Sequence, residues 1–190
     1  VGNAAGPHEG EDEVVVAAHR QLLASHPDAL LILVPRHPER FNSVFELCQQ
    51  QGFNTVRRSS GAAVSAATSV LLGDTMGELL FLYALADSAF VGGSLVPNGG
   101  HNLLEPAALA KPVLSGPHLF NFLEIAALMR NAKALQEVED AHGLAVAVQR
   151  LFELPRDAQQ MAEAGLTVMR ANQGALQRLL DGLGRLLDRS

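Results

Sequence analysis

The chain has 190 residues, of which 48% are hydrophobic and 18% charged, so it is long enough to bury a core but short for two full domains of roughly 100 to 200 residues each. Its 14 Lys and Arg against 20 Asp and Glu give a formal net charge of -6. This balance disfavours non-specific binding to nucleic acid or to an anionic membrane, both of which need a basic face. The longest apolar run, 79–86, is far shorter than the ~20 residues that span a bilayer. We therefore expect a soluble chain with no membrane span and no nucleic-acid partner.

Short apolar runs alternate along the chain with longer segments whose apolar residues recur at three- and four-residue spacing. The short runs are typical of strands buried on both faces, and the longer segments are typical of the helices that cover them. The first six residues lack an initiator Met and look like part of a strand, which indicates a piece of a longer protein. Further strands are predicted at 30–34, 54–57, 70–73, 89–92, 112–114 and 134–136. Helices are predicted at 12–25, 41–51, 78–86, 103–109, 120–131 and 143–154.

This alternation predicts an α/β fold with a doubly wound parallel sheet. After residue 154 the strand patterns stop, and two helices are predicted at 156–171 and 173–187, with Gly174 near their joint. The second helix has an apolar stripe that we expect to pack against the rest of the domain, formed by Leu176, Leu179, Leu180, Leu183 and Leu187. Residues 1–154 are thus expected to form one domain, and residues 155–190 to form helices that pack on it.

Ligands of an open parallel sheet bind beyond the carboxyl ends of its strands, where strand-to-helix loops and helix N-termini converge. The loops predicted at this edge are rich in Gly, Pro, His and acidic residues, and they span 8–11, 35–38, 73–78, 92–94, 99–102 and 116–118. Four of the seven histidines lie in them, namely His8, His37, His101 and His118. The sequence therefore predicts a ligand crevice at this edge.

The richest of these loops leads from a strand to the helix predicted at 103–109. Its glycines at 92–93 and 99–100 allow close backbone approach, so the amides around Ser94 are expected to point at a ligand. Asn102 is a candidate N-cap of the helix. Glu105, the third residue of the predicted helix, either closes a capping box or accepts two hydrogen bonds from a ribose diol, and the sequence leaves both roles open.

Two further segments carry candidate ligand contacts. Arg36 follows the strongest predicted strand, where its guanidinium could hold a phosphate or a carboxylate, or could simply lie on the surface before a helix that begins near Pro38. Residues 76–78, Met-Gly-Glu, begin the next predicted helix. Their amides could meet an anion or the edge of a base, or the turn could be a plain cap with Asp74.

Other polar residues are assigned structural roles. The acidic run of Glu9, Glu11, Asp12 and Glu13 is predicted to form the solvated first turn of a helix, where the helix dipole favours it. Cys48 follows apolar residues at helical spacing and is predicted as a core thiol. No histidine pair has metal-ligand spacing, and there is neither a GxGxxG nor a GxxxxGK[ST] motif, so we expect no metal site, no dinucleotide dehydrogenase and no P-loop enzyme.

Taken together, the runs in these loops resemble those of a known family. They are HEGEDE at 8–13, LILVPRHPERF at 31–41, RRSSG at 57–61, LLGDTMGEL at 71–79, FVGGSLVPNGGHNLLEPAALAKPVLSGPHLFNF at 90–122 and NQGAL at 172–176. In these runs the chain is similar to the C-terminal half of 3-deoxy-D-manno-octulosonic acid (Kdo) transferases. It departs from the family at Gly6 and Pro7, where a pair of small hydroxyl residues is usual, and at Leu103, where proline is common.

The resemblance implies a GT-B glycosyltransferase, in which two Rossmann-like domains face a cleft and the C-terminal one, here 1–154, binds the donor CMP-Kdo. It implies inverting transfer of Kdo to a lipid A precursor during lipopolysaccharide synthesis, at the cytoplasmic face of the bacterial inner membrane, without a cofactor or a metal. The family's general base, membrane anchor and acceptor surface belong to the N-terminal domain. The resemblance thus implies no catalytic residue in this chain and no transfer by it alone.

The resemblance also assigns binding residues by motif. Those implied to bind the CMP moiety are Pro35, Arg36, Met76, Gly77, Glu78, Asn102, Leu103, Leu104 and Glu105. Candidate contacts to the rest of the donor are His8, Glu9, Ser94, His101 and His118. The alternatives are a GT-B transferase or epimerase that uses another nucleotide sugar, and a nucleotide-binding module without catalysis.

Overall fold

The computed structural model describes the backbone of residues 1–187 and the side chains of residues 1–174. Seven parallel strands form one sheet in the order β3-β4-β2-β1-β5-β6-β7. They are β1 (Gly2–Ala5), β2 (Leu31–Val34), β3 (Thr55–Arg57), β4 (Val70–Leu72), β5 (Ser88–Val91), β6 (Val113–Ser115) and β7 (Leu135–Glu137). The predicted α/β class and doubly wound parallel sheet are confirmed.

Seven α-helices connect and cover the strands. They are α1 (Glu11–Ser25), α2 (Phe41–Gln50), α3 (Leu79–Leu85), α4 (Leu104–Ala108), α5 (Leu123–Asn131), α6 (Ala141–Glu153) and α7 (Pro155–Leu187). Each of the first six overlaps a predicted helix, and the largest shift of a boundary is at α5, which begins at Leu123 rather than at residue 120. Among the described helices, none combines the length and the apolar character that a bilayer crossing requires.

The sheet is buried because side chains on both of its faces pack under helices. On one face Leu33 and Leu72 join the core formed with α1, α2 and α6, which includes Cys48. On the other face Ile32 and Leu71 pack with the side chains of α3. Neighbouring strand residues point to opposite faces, so β2, which is covered on both sides, is apolar at every position. Burial raises the pKa of the Cys48 thiol to about 11, as befits the core thiol that the sequence predicts.

The prediction of two C-terminal helices is wrong. Residues 155–187 form the single helix α7, which continues through Gly174. Pro155 is its first residue, a position where proline costs no hydrogen bond. In the part whose side chains are described, α7 packs against α4, α5 and α6. The predicted leucine stripe, which starts at Leu176, lies outside the described side chains.

The order of the strands determines where a ligand can bind. The chain builds the half of the sheet containing β2, β3 and β4 and then returns to place β5 on the other side of β1. The loops after β1 and β5 consequently diverge and leave a crevice at the carboxyl ends of the central strands.

Candidate functional site

A cleft of about 300 Å³ opens at this crevice. Its walls come from the loops that follow β1, β2, β4 and β5, as predicted. Seven residues that the sequence analysis singled out line it, namely Pro35, Arg36, Met76, Gly77, His101, Asn102 and Glu105. The structure therefore brings together side chains that lie almost 70 positions apart in the sequence.

Arg36 and Glu105 give the cleft one positive and one negative side chain. Arg36 is exposed, Glu105 is half-buried, and neither is hydrogen-bonded to another residue within the described part of the chain. The helix α4 begins at Leu104, so Glu105 is its second residue and not the third. Leu103 occupies the N-cap position, so the prediction of Asn102 as the N-cap is shifted by one residue. The Asn102 Oδ1 accepts a hydrogen bond from the N–H of Leu104, the first helical residue, at 3.0 Å. With no capping box formed at this helix, the Glu105 carboxylate remains available to a ligand.

The sequence analysis missed the apolar and aromatic part of the cleft. These residues are Ala5, Gly6, Val34, Phe41, Thr75, Leu79, Tyr83 and Phe122. Burial and, after it, the Glu105 carboxylate raise the pKa of Tyr83, so its hydroxyl keeps its hydrogen. The spacing of Leu79 and Tyr83 on one face of a helix that begins at the ligand edge is the signal that could have identified them.

The loop before α3 is braced by ion pairs that the sequence did not indicate. Asp74 does not cap the helix, contrary to that alternative, because its carboxylate accepts hydrogen bonds from Arg57 Nε at 2.7 Å and from the Ser59 N–H at 2.8 Å. Although burial opposes its ionisation, these hydrogen bonds lower the pKa of Asp74. Glu78 accepts hydrogen bonds from the Thr75 hydroxyl and from Arg58 Nη2, the latter at 2.8 Å, and both partners lower its pKa. Its side chain thus shapes the loop and does not line the cleft.

The prediction of a solvated acidic first turn is wrong for Glu11. This side chain is fully buried, and its carboxylate accepts hydrogen bonds from four backbone N–H groups. The donors are His8 at 2.9 Å, Gly93 at 2.6 Å, Ser94 at 2.9 Å and Leu95 at 2.7 Å. The amides around Ser94 are therefore occupied by a carboxylate of the same chain and do not point at a ligand, which corrects the expectation for this glycine-rich loop.

Asp12, in the same turn, is also buried rather than solvated. Its carboxylate pairs with Arg40, whose Nη1 also donates to the Pro7 carbonyl oxygen at 2.8 Å. Burial nevertheless raises the pKa of Asp12 to about 6. Glu9 and Glu13 are exposed, in agreement with the prediction.

Three of the candidate donor contacts lie elsewhere, and Glu9 is one of them, since it is exposed and does not line the cleft. Ser94 is fully buried, and its hydroxyl donates to the Val91 carbonyl oxygen at 2.6 Å and accepts from the Gly116 N–H at 2.8 Å. His118 is exposed and does not line the cleft. Of the residues implied for CMP, Leu103 is buried in the core, and Leu104 packs against that core, so both contribute to the position of α4 rather than to the lining.

His8 and His101 form a pair at the edge of the cleft. Their rings stack with centroids 5.1 Å apart, and their Nε2 atoms are 3.1 Å from each other. His101 Nε2 is also 3.0 Å from the Gly6 carbonyl oxygen. A Cβ atom at Gly6 would lie 2.4 Å from His101 Cδ2, so a side chain at this position would displace the His101 ring. Burial lowers the pKa of both histidines. In the described residues no group of three or more His, Cys, Asp or Glu is arranged to hold a metal ion.

Comparisons with known proteins identify relatives of the whole chain, although no family model matches it. The chain is 47% identical over 188 residues to the 3-deoxy-D-manno-octulosonic acid transferase of Haemophilus influenzae, covering 98% of this chain and 44% of the relative. It is 42% identical over 184 residues to the enzyme of the same name from Bordetella pertussis, covering 94% of this chain and 43% of the relative. The chain thus spans less than half the length of the curated relatives that it matches.

A solved structure matches over most of both chains. It is the C-terminal CMP-Kdo binding domain of WaaA from Acinetobacter baumannii, with a TM-score of 0.85, 38% identity and coverage of 88% of each chain. The seven-stranded sheet and its helices have the fold of the C-terminal half of a GT-B glycosyltransferase. The chain therefore belongs to the 3-deoxy-D-manno-octulosonic acid (Kdo) transferase family, in which it corresponds to the C-terminal domain.

Proposed function

We propose that this chain is the donor-binding domain of a Kdo transferase and that its cleft binds CMP-Kdo. One observation carries the proposal. Arg36 and Glu105, which have no hydrogen-bond partner among the described residues, line one cleft at the switch point of the sheet, where parallel sheets bind nucleotides. The description of the Acinetobacter domain as a CMP-Kdo binding domain supports the same donor.

Within the cleft, different residues suit the phosphate, the ribose and the base of the nucleotide. The guanidinium of Arg36, after Pro35, suits the phosphate, because it can donate two parallel hydrogen bonds to an oxyanion. The carboxylate of Glu105, on the helix α4 that follows Asn102, suits the two hydroxyls of the ribose. The loop of residues 76–78 then faces the base, with Gly77 at a positive φ of 79° that keeps the turn open beside it.

The activity of the whole protein is part of the proposal. By its family, it would transfer Kdo with inversion to a lipid A precursor at the cytoplasmic face of the inner membrane, with the acceptor and the general base held by an N-terminal domain. The names of the relatives support a Kdo transferase. The carboxylates of Glu11 and Glu78 accept hydrogen bonds from other residues of the chain, which supports a general base supplied from outside this chain.

Calorimetric titration of the chain with CMP, CDP and UDP tests the donor. We expect CMP and CDP to bind and UDP to bind at least tenfold more weakly, because a site fitted to the amino edge of cytosine leaves polar groups unpaired against uracil. Preference for UDP would favour the alternative of a transferase or epimerase that uses another nucleotide sugar. Failure of all three nucleotides to bind would contradict the proposal.

A further inference from the structure

The histidine pair beside the cleft has no role in the proposed contacts to the nucleotide. His101 lines the cleft, and His8 stacks on the side of His101. The pair lies near the start of α1 and near residues 36–40, which connect β2 to α2. The charged and titratable groups that they bring near it are Glu11, Arg36, His37 and Arg40.

The hydrogen bonds of the pair determine where its protons lie. The Gly6 carbonyl oxygen, 3.0 Å from His101 Nε2, can only accept, so His101 Nε2 carries a hydrogen. His8 Nε2, which faces the same atom at 3.1 Å, must then be an acceptor, and neutral His8 carries its hydrogen on Nδ1. Hydrogens on both Nε2 atoms would place two N–H groups head to head. The pair can therefore gain one proton, and that proton goes to Nδ1 of His101.

The pair is also free to take that proton. Neither Nδ1 atom is hydrogen-bonded to a residue that the structure describes. Burial lowers the pKa of both rings, so the pair is neutral near pH 7. Glu11, the neighbouring carboxylate, already accepts four backbone hydrogen bonds and does not form an ion pair with either imidazole.

We infer that His101 binds the carboxylate of the donor's sugar and that it takes up one proton from solvent as it does so. This inference rests on the proposed function, since Kdo is the acid that the donor carries. Arg36 is the guanidinium of the cleft and suits the phosphate, and the amides of residues 93–95 are occupied by Glu11. A second anionic group thus needs another cation, which a protonated His101 supplies. His8 is a positioning residue, because it acts by fixing the tautomer of His101.

Proton uptake on binding distinguishes the carboxylate from the phosphate. Calorimetry at pH 7.5 in two buffers of different ionisation enthalpy gives the number of protons taken up for each ligand. The ligands are CMP-Kdo and cytidine 5′-(methyl phosphate), which has the same phosphodiester charge but no carboxylate. We expect CMP-Kdo to take up close to one proton more than the methyl ester. Equal uptake for the two ligands would overturn the inference.

His101→Gln separates protonation from structure, since the glutamine amide can still donate to the Gly6 carbonyl oxygen but cannot gain a proton. We expect CMP-Kdo to bind about tenfold more weakly or worse, the loss that corresponds to one charge-assisted hydrogen bond, with the additional proton uptake abolished. The affinity for the methyl ester should stay within about twofold of the original. His142→Gln, at an exposed histidine on α6, is the matched control and should change neither ligand's affinity.

Equal weakening of both ligands by His101→Gln would overturn the inference while leaving the donor-binding proposal intact. If neither ligand binds the original chain, the proposed function itself fails. A readout that needs no variant is nitrogen NMR of the histidine rings in the free chain. We expect the Nε2–H tautomer at His101 and the Nδ1–H tautomer at His8. The reverse tautomers, or two imidazolium rings present together while the fold persists, would overturn the inference.

Discussion

At the scale of single residues, Glu105 is the group on which recognition of the ribose depends. Its carboxylate lines the cleft and makes no hydrogen bond to another described residue, so its substitution removes ligand contacts without breaking a contact of the fold. We expect Glu105→Gln to weaken CMP binding by roughly 1 to 3 kcal/mol, the cost of charge-assisted hydrogen bonds. Titration calorimetry measures this, and Glu124→Gln, at an exposed glutamate in the first turn of α5, is the control. Unchanged affinity for CMP would refute a role in ribose binding.

Arg36 is predicted to recognise the phosphate rather than the nucleoside. Arg36→Ala should lower the affinity for CMP by at least tenfold and leave the affinity for cytidine nearly unchanged, because cytidine has no phosphate to lose. Arg36→Lys should bind CMP with intermediate affinity, since an ammonium cannot reproduce a bidentate guanidinium contact. Competition of the two ligands against a fluorescent CMP analogue would measure both. An equal loss for CMP and cytidine would place Arg36 elsewhere in the site.

The sequence predicts the position of a residue at the cleft best where the side chain belongs to a loop between a strand and a helix, and the binding roles of these residues stay predictions. Pro35, Arg36 and Asn102 each follow a strand or precede a helix, and such positions are readable from periodicity. The role of Glu11 was not readable, because three of its four partners are amides 82 to 84 positions away in the chain. The sequence does not distinguish a buried glutamate that accepts hydrogen bonds from distant backbone amides from a solvated glutamate in the first turn of a helix.

At the scale of elements, Glu11 joins the start of α1 to the loop after β5. Removing its carboxylate leaves four backbone N–H groups without an acceptor, so we expect Glu11→Ala to lower the free energy of unfolding by about 3 kcal/mol or more. Glu13→Ala, an exposed position in the same turn, should change it by less than about 0.5 kcal/mol. Chemical denaturation measures both variants.

The space that the carboxylate leaves in Glu11→Ala also allows the role of Glu11 to be tested by rescue with a small carboxylate. A small carboxylate such as formate should enter it and raise the melting temperature of this variant with increasing concentration, because binding to the folded state stabilises it. Glu13→Ala should show no such dependence beyond the general salt effect. Absence of any formate effect, together with a small loss of stability, would mean that water replaces the carboxylate at these amides.

The elements themselves were largely predictable, and the exception has a physical reason. Parallel strands buried on both faces leave short continuous apolar runs such as Leu31–Val34. Length helps to separate them from helices, since the longer apolar run at 79–86 contains helix α3. The sequence predicts a break between two helices near Gly174, but one glycine inside a helix costs only about 1 kcal/mol relative to alanine. The flanking segments have helical periodicity of their own, so α7 continues through this position. Apart from Leu79 and Tyr83, the apolar lining of the cleft was not predictable, since it forms only when α3 and α5 are placed beside the sheet.

At the scale of the whole molecule, two buried groups give stability opposite dependences on pH. His19 is buried and donates from Nε2 to the Ser69 carbonyl oxygen at 2.8 Å, and burial lowers its pKa from 6.5 to about 4. The unfolded chain therefore binds a proton that the folded chain does not, and stability is lost as the pH falls below 6.5. Burial raises the pKa of Asp12 to about 6 from 3.8. Its folded form holds the proton more tightly, so its contribution to stability falls as the pH rises from 3.8 to 6.

His19→Gln isolates the first of these effects, since the glutamine amide can donate to the same carbonyl oxygen but does not titrate. Between pH 7 and pH 5 we expect the original chain to lose on the order of 2 kcal/mol of stability relative to the variant, from a shift of about 1.4 kcal/mol per pKa unit. Urea denaturation at a series of pH values measures the difference. His26→Gln is a control at a histidine nearer the surface. Parallel curves for His19→Gln and the original chain would show that His19 does not titrate between the folded and unfolded states.

The proposed division of labour between this domain and an N-terminal domain leads to the prediction that this chain alone does not transfer Kdo. Its relatives are more than twice as long as the part it matches, and the described carboxylates near the cleft have other uses. Glu11 accepts four amide hydrogen bonds, Glu78 pairs with Arg58, and Glu105, which lines the cleft, is proposed to bind the ribose. General base catalysis contributes about 10² to 10⁴-fold, and positioning of the acceptor can contribute more, so loss of both should leave no measurable turnover.

The test is a transfer assay with CMP-Kdo and a lipid A precursor, run on this chain and on the full-length protein at equal concentrations. The chain must first be shown to bind CMP, so that a lack of transfer reports missing catalysis rather than a missing fold. Transfer by the chain at even a few per cent of the full-length rate would contradict the prediction. The base would then have to be His8, His101 or Glu9, since the four amides that Glu11 accepts leave its carboxylate no free lone pair directed at a substrate. His101→Gln in the same assay would show whether His101 is that base, because it removes the one imidazole that lines the cleft in the described structure.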